Sequence, residues 1–271
     1  MSRMWKRSYG RTTKAPPNER GGNTQPDLPP PRYIPTLPIA VLAGGLSIPM
    51  RPLTDRVRKA LLEVAGEPFL AHQLRLFARQ GIANVKLLVG YRWEQIRAFA
   101  GDGSRFGVRV DYIVDGPKLF GTGGAIRRAL DRLGPEFLVT YGDAWLDTPY
   151  AAVVEAFHAS GLPALMCVFR NENRWDTSNV VFENGVIRFY SKRHRLPEMR
   201  YIDWGLGMLN AAVVASRPTD ETWEISQLHE ELPVTDRLAG YEVAQRFYEI
   251  GSFEGLTETN RVLSTFPAAS N

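Results

Sequence analysis

Ile39-Ala40-Val41-Leu42-Ala43-Gly44-Gly45 decides the fold. Five apolar residues with no polar alternation read as a strand buried on both faces, the kind found in parallel sheets. Two glycines follow, where the backbone must turn and where an exposed N–H can approach a ligand. Outward from this run, Leu70, Leu74 and Phe77 share one helix face, with Gly81 placed to cap it. Val85–Val89 predicts a second strand, Trp93, Ile96 and Ala100 a short helix, and Val108–Val114 a third strand. Ala125, Ile126, Ala129 and Leu130 predict another helix, Phe137–Tyr141 a fourth strand, and Val153, Val154 and Phe157 the next helix. Strands alternating with helices of this length imply an α/β domain with a mostly parallel sheet. A strand at Ala164–Phe169 follows. A hairpin, Val180–Phe182 with Val186–Tyr190, turns at Glu183-Asn184-Gly185, making the later half mixed. Ile225, Leu228 and Leu232 predict one late helix, and Leu256 with Leu263 the last.

Upstream, residues 1–38 carry eight of the nineteen prolines and little apolar periodicity, which predicts a disordered, Pro- and Arg-rich tail. The charge divides the same way. Residues 1–40 hold seven basic and two acidic side chains, leaving 26 basic and 27 acidic for the rest. The overall +4 therefore belongs to the tail, and a nucleic-acid-binding face on the folded part is not expected. The longest apolar run, Ile39–Leu46, is too short to span a bilayer, which takes about 20 residues. A single cysteine, Cys167, rules out an internal disulfide and suits a reducing, cytoplasmic setting.

Three polar clusters fall at predicted strand ends, where ligands bind in such sheets. Gly44-Gly45-Leu46-Ser47 leads toward Arg51, Arg58 and Lys59, and reads either as a phosphate cradle or as a tight turn with a solvated basic loop. Gly121-Thr122-Gly123-Gly124-Ala125 opens a helix and offers backbone amides to a nucleotide or sugar, although glycine turns before helices are common. Tyr141-Gly142-Asp143, with Asp147 beyond, places a carboxylate to hold Mg²⁺ or to cap a turn. None of the four histidines lies in a motif: His72 and His158 fall in predicted helices, His194 and His229 in polar segments. The tryptophans read as packing residues, with Trp204 the strongest candidate for a site role.

Taken together, Leu42–Thr54 and Arg58–Pro68 resemble the signature of the sugar-1-phosphate nucleotidyltransferases, LAGGxGTRLxPLT followed by PKxLLxVxGxP. Gly121–Ala125 is similar to the family's GTG element, Tyr141-Gly142-Asp143 to its metal-binding GD, and Tyr248–Ser252 with Glu254 to its late acidic element. The flavour of Arg174–Val180 and Tyr201–Gly207 is nearest to the mannose- and heptose-1-phosphate guanylyltransferases. The resemblance implies a single Rossmann-like, three-layer domain over residues 39–265 that transfers a nucleotidyl group from an NTP, GTP favoured, to a sugar 1-phosphate. It implies that Leu42, Gly44, Gly45, Ser47, Gly121, Thr122 and Gly124 border the nucleotide, and that Lys59 meets a phosphate. Asn179, Lys192 and Gly205 would meet the sugar phosphate, and Asp143 and Glu249 would hold Mg²⁺. No nucleic acid or membrane partner is implied, and a homo-oligomer is compatible with the resemblance.

The chain departs from the signature at Ser47-Ile48-Pro49, where the family has Gly-Thr-Arg. Proline supplies neither the guanidinium nor a backbone donor. Arg51 and Arg58 flank the gap as candidate catalytic replacements, Arg58 standing where the family has proline. The alternative is a catalytically weak or dead homologue that binds sugar nucleotides as a regulatory subunit.

Overall fold

The opening apolar run forms an interior strand of the main sheet. The structure, a computed structural model, describes residues 36–45, 48–116 and 118–266. The strands are β1 (Pro38–Leu42), β2 (Glu63–Val64), β3 (Glu67–Pro68), β4 (Asn84–Val89), β5 (Arg109–Val114), β6 (Glu136–Tyr141), β7 (Ala144–Trp145), β8 (Ala164–Arg170), β9 (Val180–Glu183), β10 (Val186–Tyr190), β11 (Tyr201–Asn210), β12 (Leu238–Val243) and β13 (Tyr248–Glu249). The helices are α1 (Phe69–Arg79), α2 (Trp93–Ala100), α3 (Gly121–Leu133), α4 (Tyr150–Ser160), α5 (Ala212–Ala215), α6 (Ile225–Glu231) and α7 (Phe253–Leu263). The tail read at residues 1–38 lies almost wholly outside the described residues; β1 begins at Pro38.

Nine strands form one sheet in the order β5-β4-β1-β6-β11-β8-β12-β10-β9. β5, β4, β1 and β6 pair in parallel, and β12 runs parallel to β8. β11 is inserted antiparallel between β6 and β8, so β8 and β12 point the same way as β1. With β9, antiparallel to both β10 and β11, seven strands end on one edge of a mixed, mostly parallel sheet. Ile39 and Val41 bury on one face with α1, α2 and α4; Ala40 buries on the other with α3 and α6. This alternation across a sheet covered on both sides gives three layers. A third cluster, with Met50, Leu62, Phe69, Trp145, Ile250 and Leu263, packs α7 and the short strands beside the sheet.

Local chemistry explains the elements. In α1 the predicted face of Leu70, Leu74 and Phe77 is at most 1% exposed. Gly81 ends the helix at φ +79°, with the Ile82 N–H donating to Phe77 O at 2.9 Å. Two strands of the main sheet escape the sequence reading, β11 and β12. β11 holds Asp203, Gly205 and Gly207, which interrupt the apolar pattern because its pairing with β8 is irregular between Asp203 and Gly207. β12 contains Gly240, which interrupts its apolar pattern and lies so close under the Phe182 ring that a Cβ would clash. His229, read in a polar segment, is buried on α6 against the Tyr190 ring. Trp204 packs inside the core at 1% exposure and takes no part in a site. Cys167 is a buried free thiol whose pKa burial pushes well up, as for an inert core sulfur.

Candidate active site

The chain runs from β1 outward through β4 to β5, then returns to place β6 on the other side of β1. The strand order reverses there, and such a switch point opens a crevice at the carboxyl ends. A cavity of about 430 Å³ occupies it, lined by Leu42, Ala43, Gly44, Gly45, Arg58, Lys59, Asp115, Gly121, Thr122, Tyr141, Gly142, Asp143 and Glu224 among others.

The floor is built by close backbone approach. The Ala43 N–H donates to Leu88 O at 2.9 Å and the Gly142 N–H to Leu42 O at 3.0 Å, stitching the ends of β1, β4 and β6 together. A Cβ at Gly142 would fall 2.9 Å from the Ala43 Cβ, so only glycine fits. Gln73, buried in α1, donates to Tyr141 O at 2.9 Å and Ala144 O at 2.8 Å, clamping the turn that carries Asp143.

Asp143 and Glu249, 106 positions apart in sequence, are joined by the β7–β13 pair, in which Glu249 stands opposite Ala144. The Ile250 N–H donates to Asp143 O at 2.9 Å. Lys59 Nζ donates to Asp143 Oδ2 at 2.5 Å. A Cβ at Gly251 would lie 2.7 Å from Glu249 Oε2, 3.3 Å from Asp143 Oδ2 and 3.7 Å from Lys59 Nζ, so three charges converge on one point. Glu249 accepts from the Gly251 N–H and from Ser252 Oγ, the latter at 2.6 Å. A carboxylate has about four lone-pair positions, so two remain for a cation.

The two arginines flanking Pro49 part company. Arg51 is exposed, paired with Asp55 at 3.3 Å, and does not line the cavity. Arg58 is 6% exposed; its Nη2 donates to Gly45 O and, at 3.3 Å, to Ala43 O. Its Nε has no partner, and burial lowers its pKa from the ordinary value. A guanidinium nevertheless stays charged at neutral pH. Arg58 thus sits beneath the glycine turn and holds two of its carbonyls.

The glycine-rich start of α3 serves packing more than ligand. The Thr122 N–H donates to Glu224 Oε2 at 3.2 Å, and the Gly123 and Gly124 N–H groups to Trp223 O at 3.0 and 3.2 Å. A Cβ at Gly123 would strike the Trp223 ring at 2.2 Å, and one at Gly124 the Phe120 Cβ at 2.7 Å. Gly121 and Thr122 line the cavity; Gly124 does not, and the expected row of ligand-facing amides is spent within the protein. Asp147 joins Arg79 at 3.0 Å and Gln80 at 3.1 Å, a structural tie.

The residues read for the sugar lie beyond β6. Asn179 Oδ1 accepts from the Asp203 N–H at 2.9 Å, and Asp203 Oδ1 from the Gly205 N–H at 3.0 Å. Gly205, at φ +91°, lines a small hollow with Leu42, Tyr141, Asp203 and His229. Lys192 is exposed and lines neither space. Ser47 lies outside the described residues. The sequence reading missed Asp115, Asp203 and Glu224. Asp115 carries the same signal that revealed Asp143, a carboxylate within two residues of a strand's carboxyl end.

A switch-point cavity with a lysine, a buried arginine and two converging carboxylates defines a class: a nucleotide- or phosphate-handling α/β protein. The chain belongs to the nucleotidyl transferase family, whose model matches residues 39–264. It is 36% identical over 124 residues to an N-acetylmuramate α-1-phosphate uridylyltransferase of Neisseria meningitidis, covering 45% of this chain and 53% of that protein. It is 35% identical over 120 residues to a mannose-1-phosphate guanylyltransferase of Mycobacterium tuberculosis, covering 44% and 33%. The matched stretches thus span from a third to about half of these relatives. The fold is shared with HddC of Yersinia pseudotuberculosis at TM-score 0.71 and 20% identity, over 84% of this chain and 99% of that one. Among the described residues no helix is long and apolar enough to cross a membrane.

Proposed function

We propose that the protein transfers a nucleotidyl group from an NTP, GTP preferred, to a sugar 1-phosphate. The convergence of Lys59 and Asp143, both in the cavity lining, with Glu249 carries this reading. A phosphate oxygen of the sugar 1-phosphate attacks the α-phosphorus of the NTP. The bond from that phosphorus to the bridging oxygen breaks, and pyrophosphate leaves with the electron pair. The nucleophile is already anionic near neutral pH, since such a phosphate loses its second proton near about pH 6. The site needs no general base, and among the described residues no histidine lines the cavity. Its work is positioning and charge neutralisation.

Asp143 and Glu249 are hard oxygen donors with lone pairs to spare, and they suit Mg²⁺ completed by phosphate oxygens and water. When bound, the ion would supply positive charge against the phosphates. Lys59, now paired with Asp143, is placed to turn to a phosphate once a cation takes over that carboxylate. Arg58, through its bonds to Ala43 O and Gly45 O, holds the turn with its amides free for the nucleotide. The Asn179–Asp203–Gly205 chain favours the β11 side for the sugar phosphate, with Lys192 reaching in from the surface. A cytoplasmic enzyme fits the lone buried thiol.

The replacement of the signature arginine by Pro49 keeps a second reading in play, a weakly active homologue that binds sugar nucleotides. A screen of pyrophosphate release, four NTPs against a panel of sugar 1-phosphates, decides between them. Mg²⁺-dependent release with at least one pair is expected; nucleotide binding without release favours the second reading.

A further inference from the structure

Arg58 is held where a free side chain would not stay. It is buried, and its Nε has no partner. Burial lowers its pKa, Tyr91 raises it, and the Arg92 charge lowers it again. A buried guanidinium with one nitrogen unmet and a like charge nearby gains by swinging out to water. The segment that carries it is itself largely exposed: Arg51, Pro52, Leu53, Asp55, Arg56 and Val57 all face solvent. The bonds from Arg58 to Ala43 O and Gly45 O therefore hold only if the backbone beneath Arg58 is fixed as well.

The first turn of α2 supplies that hold. Gln95 Nε2 donates to Arg56 O at 2.9 Å, and Gln95 Oε1 accepts from the Arg58 N–H at 3.1 Å. One planar amide thus uses its donor and its acceptor on either side of Val57, which fixes the backbone in both position and direction. Arg92 adds a third bond, from Nη1 to Asp55 O at 2.6 Å. Arg92 has φ +55°, a left-handed conformation that a residue with a side chain holds only when its surroundings impose it. The start of α2 is in turn seated against the glycine turn. A Cβ at Gly90 would lie 3.0 Å from Gly44 O, and the Trp93 N–H donates to Gly90 O at 3.2 Å. A closed circuit results, from the glycine turn through Arg58 and Gln95 to α2, and back through Gly90.

One link of that circuit is peculiar to this chain. The signature that the stretch resembles has proline at position 58, and proline has no N–H to give. The residue that brings a guanidinium to the glycine turn also brings the donor that anchors it to Gln95. Resting on the nucleotidyl-transfer reading for what the cavity does, we propose that Gln95 is a positioning residue for Arg58. Its amide holds the backbone of residues 56–58 so that the Arg58 guanidinium is delivered to Ala43 O and Gly45 O.

A double-mutant cycle on the full chain tests this. Gln95→Met keeps side-chain length and helix propensity and removes both amide bonds. Alone it should lower kcat/KM for GTP about tenfold, the worth of one to two hydrogen bonds, and weaken calorimetric GTP binding about threefold or more. In the Arg58→Ala background the same change should cost less than about twofold in either measure, because residues that act through one another are not additive. A general loosening of the fold would instead cost the same in both backgrounds. Hydrogen exchange gives a readout that needs no turnover. The Arg58 amide should be protected in wild type and exchange at least about tenfold faster in Gln95→Met, with amides of β1 and β4 unchanged. Equal cost of Gln95→Met in the two backgrounds, or an Arg58 amide that exchanges freely in wild type, would overturn the proposal; the second needs no variant to fold. If wild type releases no pyrophosphate, nucleotidyl transfer falls, and the cycle on GTP affinity with the Arg58 amide still decides for or against Gln95. Full turnover with equal cost in both backgrounds removes Gln95 and leaves transfer standing.

Discussion

Along the carboxyl edge of the sheet, the β5–β4–β1–β6 end and the β11–β8–β12 end treat their polar groups in opposite ways. At the first, Arg58, Lys59, Asp115 and Asp143 surround an open cavity. At the second, polar groups are already satisfied by one another: Asn179 with Asp203, Asp203 with Gly205, and Asn171 with Ser178 at 3.2 Å. Only a small hollow remains there. On the proposed reading the nucleotide end offers a formed cavity in which the Lys59–Asp143 pair has to exchange, whereas the sugar end must exchange a chain of internal hydrogen bonds for ligand bonds. Groups around a formed cavity act with less reorganisation, so disruption at the first end should reach the chemical step, and disruption at the second mainly binding.

The largest effect expected is at Asp143. Asp143→Asn removes the proposed metal ligand and the partner of Lys59, so turnover at saturating Mg²⁺ should fall by at least about a hundredfold. The thermal melt should barely move, because the pair is partly exposed. Arg58→Ala comes next. Loss of one preorganised donor costs about 2–4 kcal/mol of transition-state stabilisation, and the loop it braces also loosens. Arg51→Ala, at an exposed ion pair, should change kcat by less than about twofold. An equal response from the two arginines would break the comparison, since only Arg58 reaches the cavity. At the sugar end, Asn179→Ala should raise KM for the sugar phosphate by about tenfold, the worth of roughly one hydrogen bond, and leave the GTP Kd unchanged.

The comparison also marks what could be read from the chain itself. Each strand of the first end is rich in apolar residues and closed within two residues by glycine or aspartate, and β1, β4, β5 and β6 stand within a residue or so of their expected bounds. Asp143 is legible because it follows such a strand, and Lys59 through the signature that the Gly44–Lys59 stretch resembles. Arg58 was visible only as a departure; that it points at Ala43 O and Gly45 O is a tertiary fact. At the second end, long-range pairing overrides local pattern. β11 returns antiparallel between β6 and β8, and its irregular stretch at Asp203–Gly207 hides the strand period. Gly124 shows the converse error: its row of glycines looks like a ligand cradle but accommodates Phe120 and Trp223.

The smallest effect concerns His229, buried behind the sugar end. Its pKa lies below the ordinary 6.5, chiefly through burial, with Asp203 raising it and Lys192 lowering it. The unfolded chain takes up a proton near pH 6.5 while the folded one resists. The stability His229 contributes is therefore complete above pH 6.5 and lost as pH falls through the folded value. His229→Gln should flatten that acid limb in melts taken between pH 7 and 5. An unchanged limb would mean that the ring is not held neutral.

The central claim is that Lys59, Asp143 and Glu249 form a metal-assisted nucleotidyl transfer centre. Its most direct test is a Mg²⁺ titration of pyrophosphate release with GTP and the best sugar 1-phosphate, in wild type and Asp143→Asn, with the sugar nucleotide quantified in parallel. The account predicts pyrophosphate and sugar nucleotide in a one-to-one ratio, saturation with Mg²⁺ in wild type, and little product at any Mg²⁺ concentration in the variant. Undiminished turnover in Asp143→Asn, or nucleotide binding with no pyrophosphate from any sugar phosphate, would contradict it.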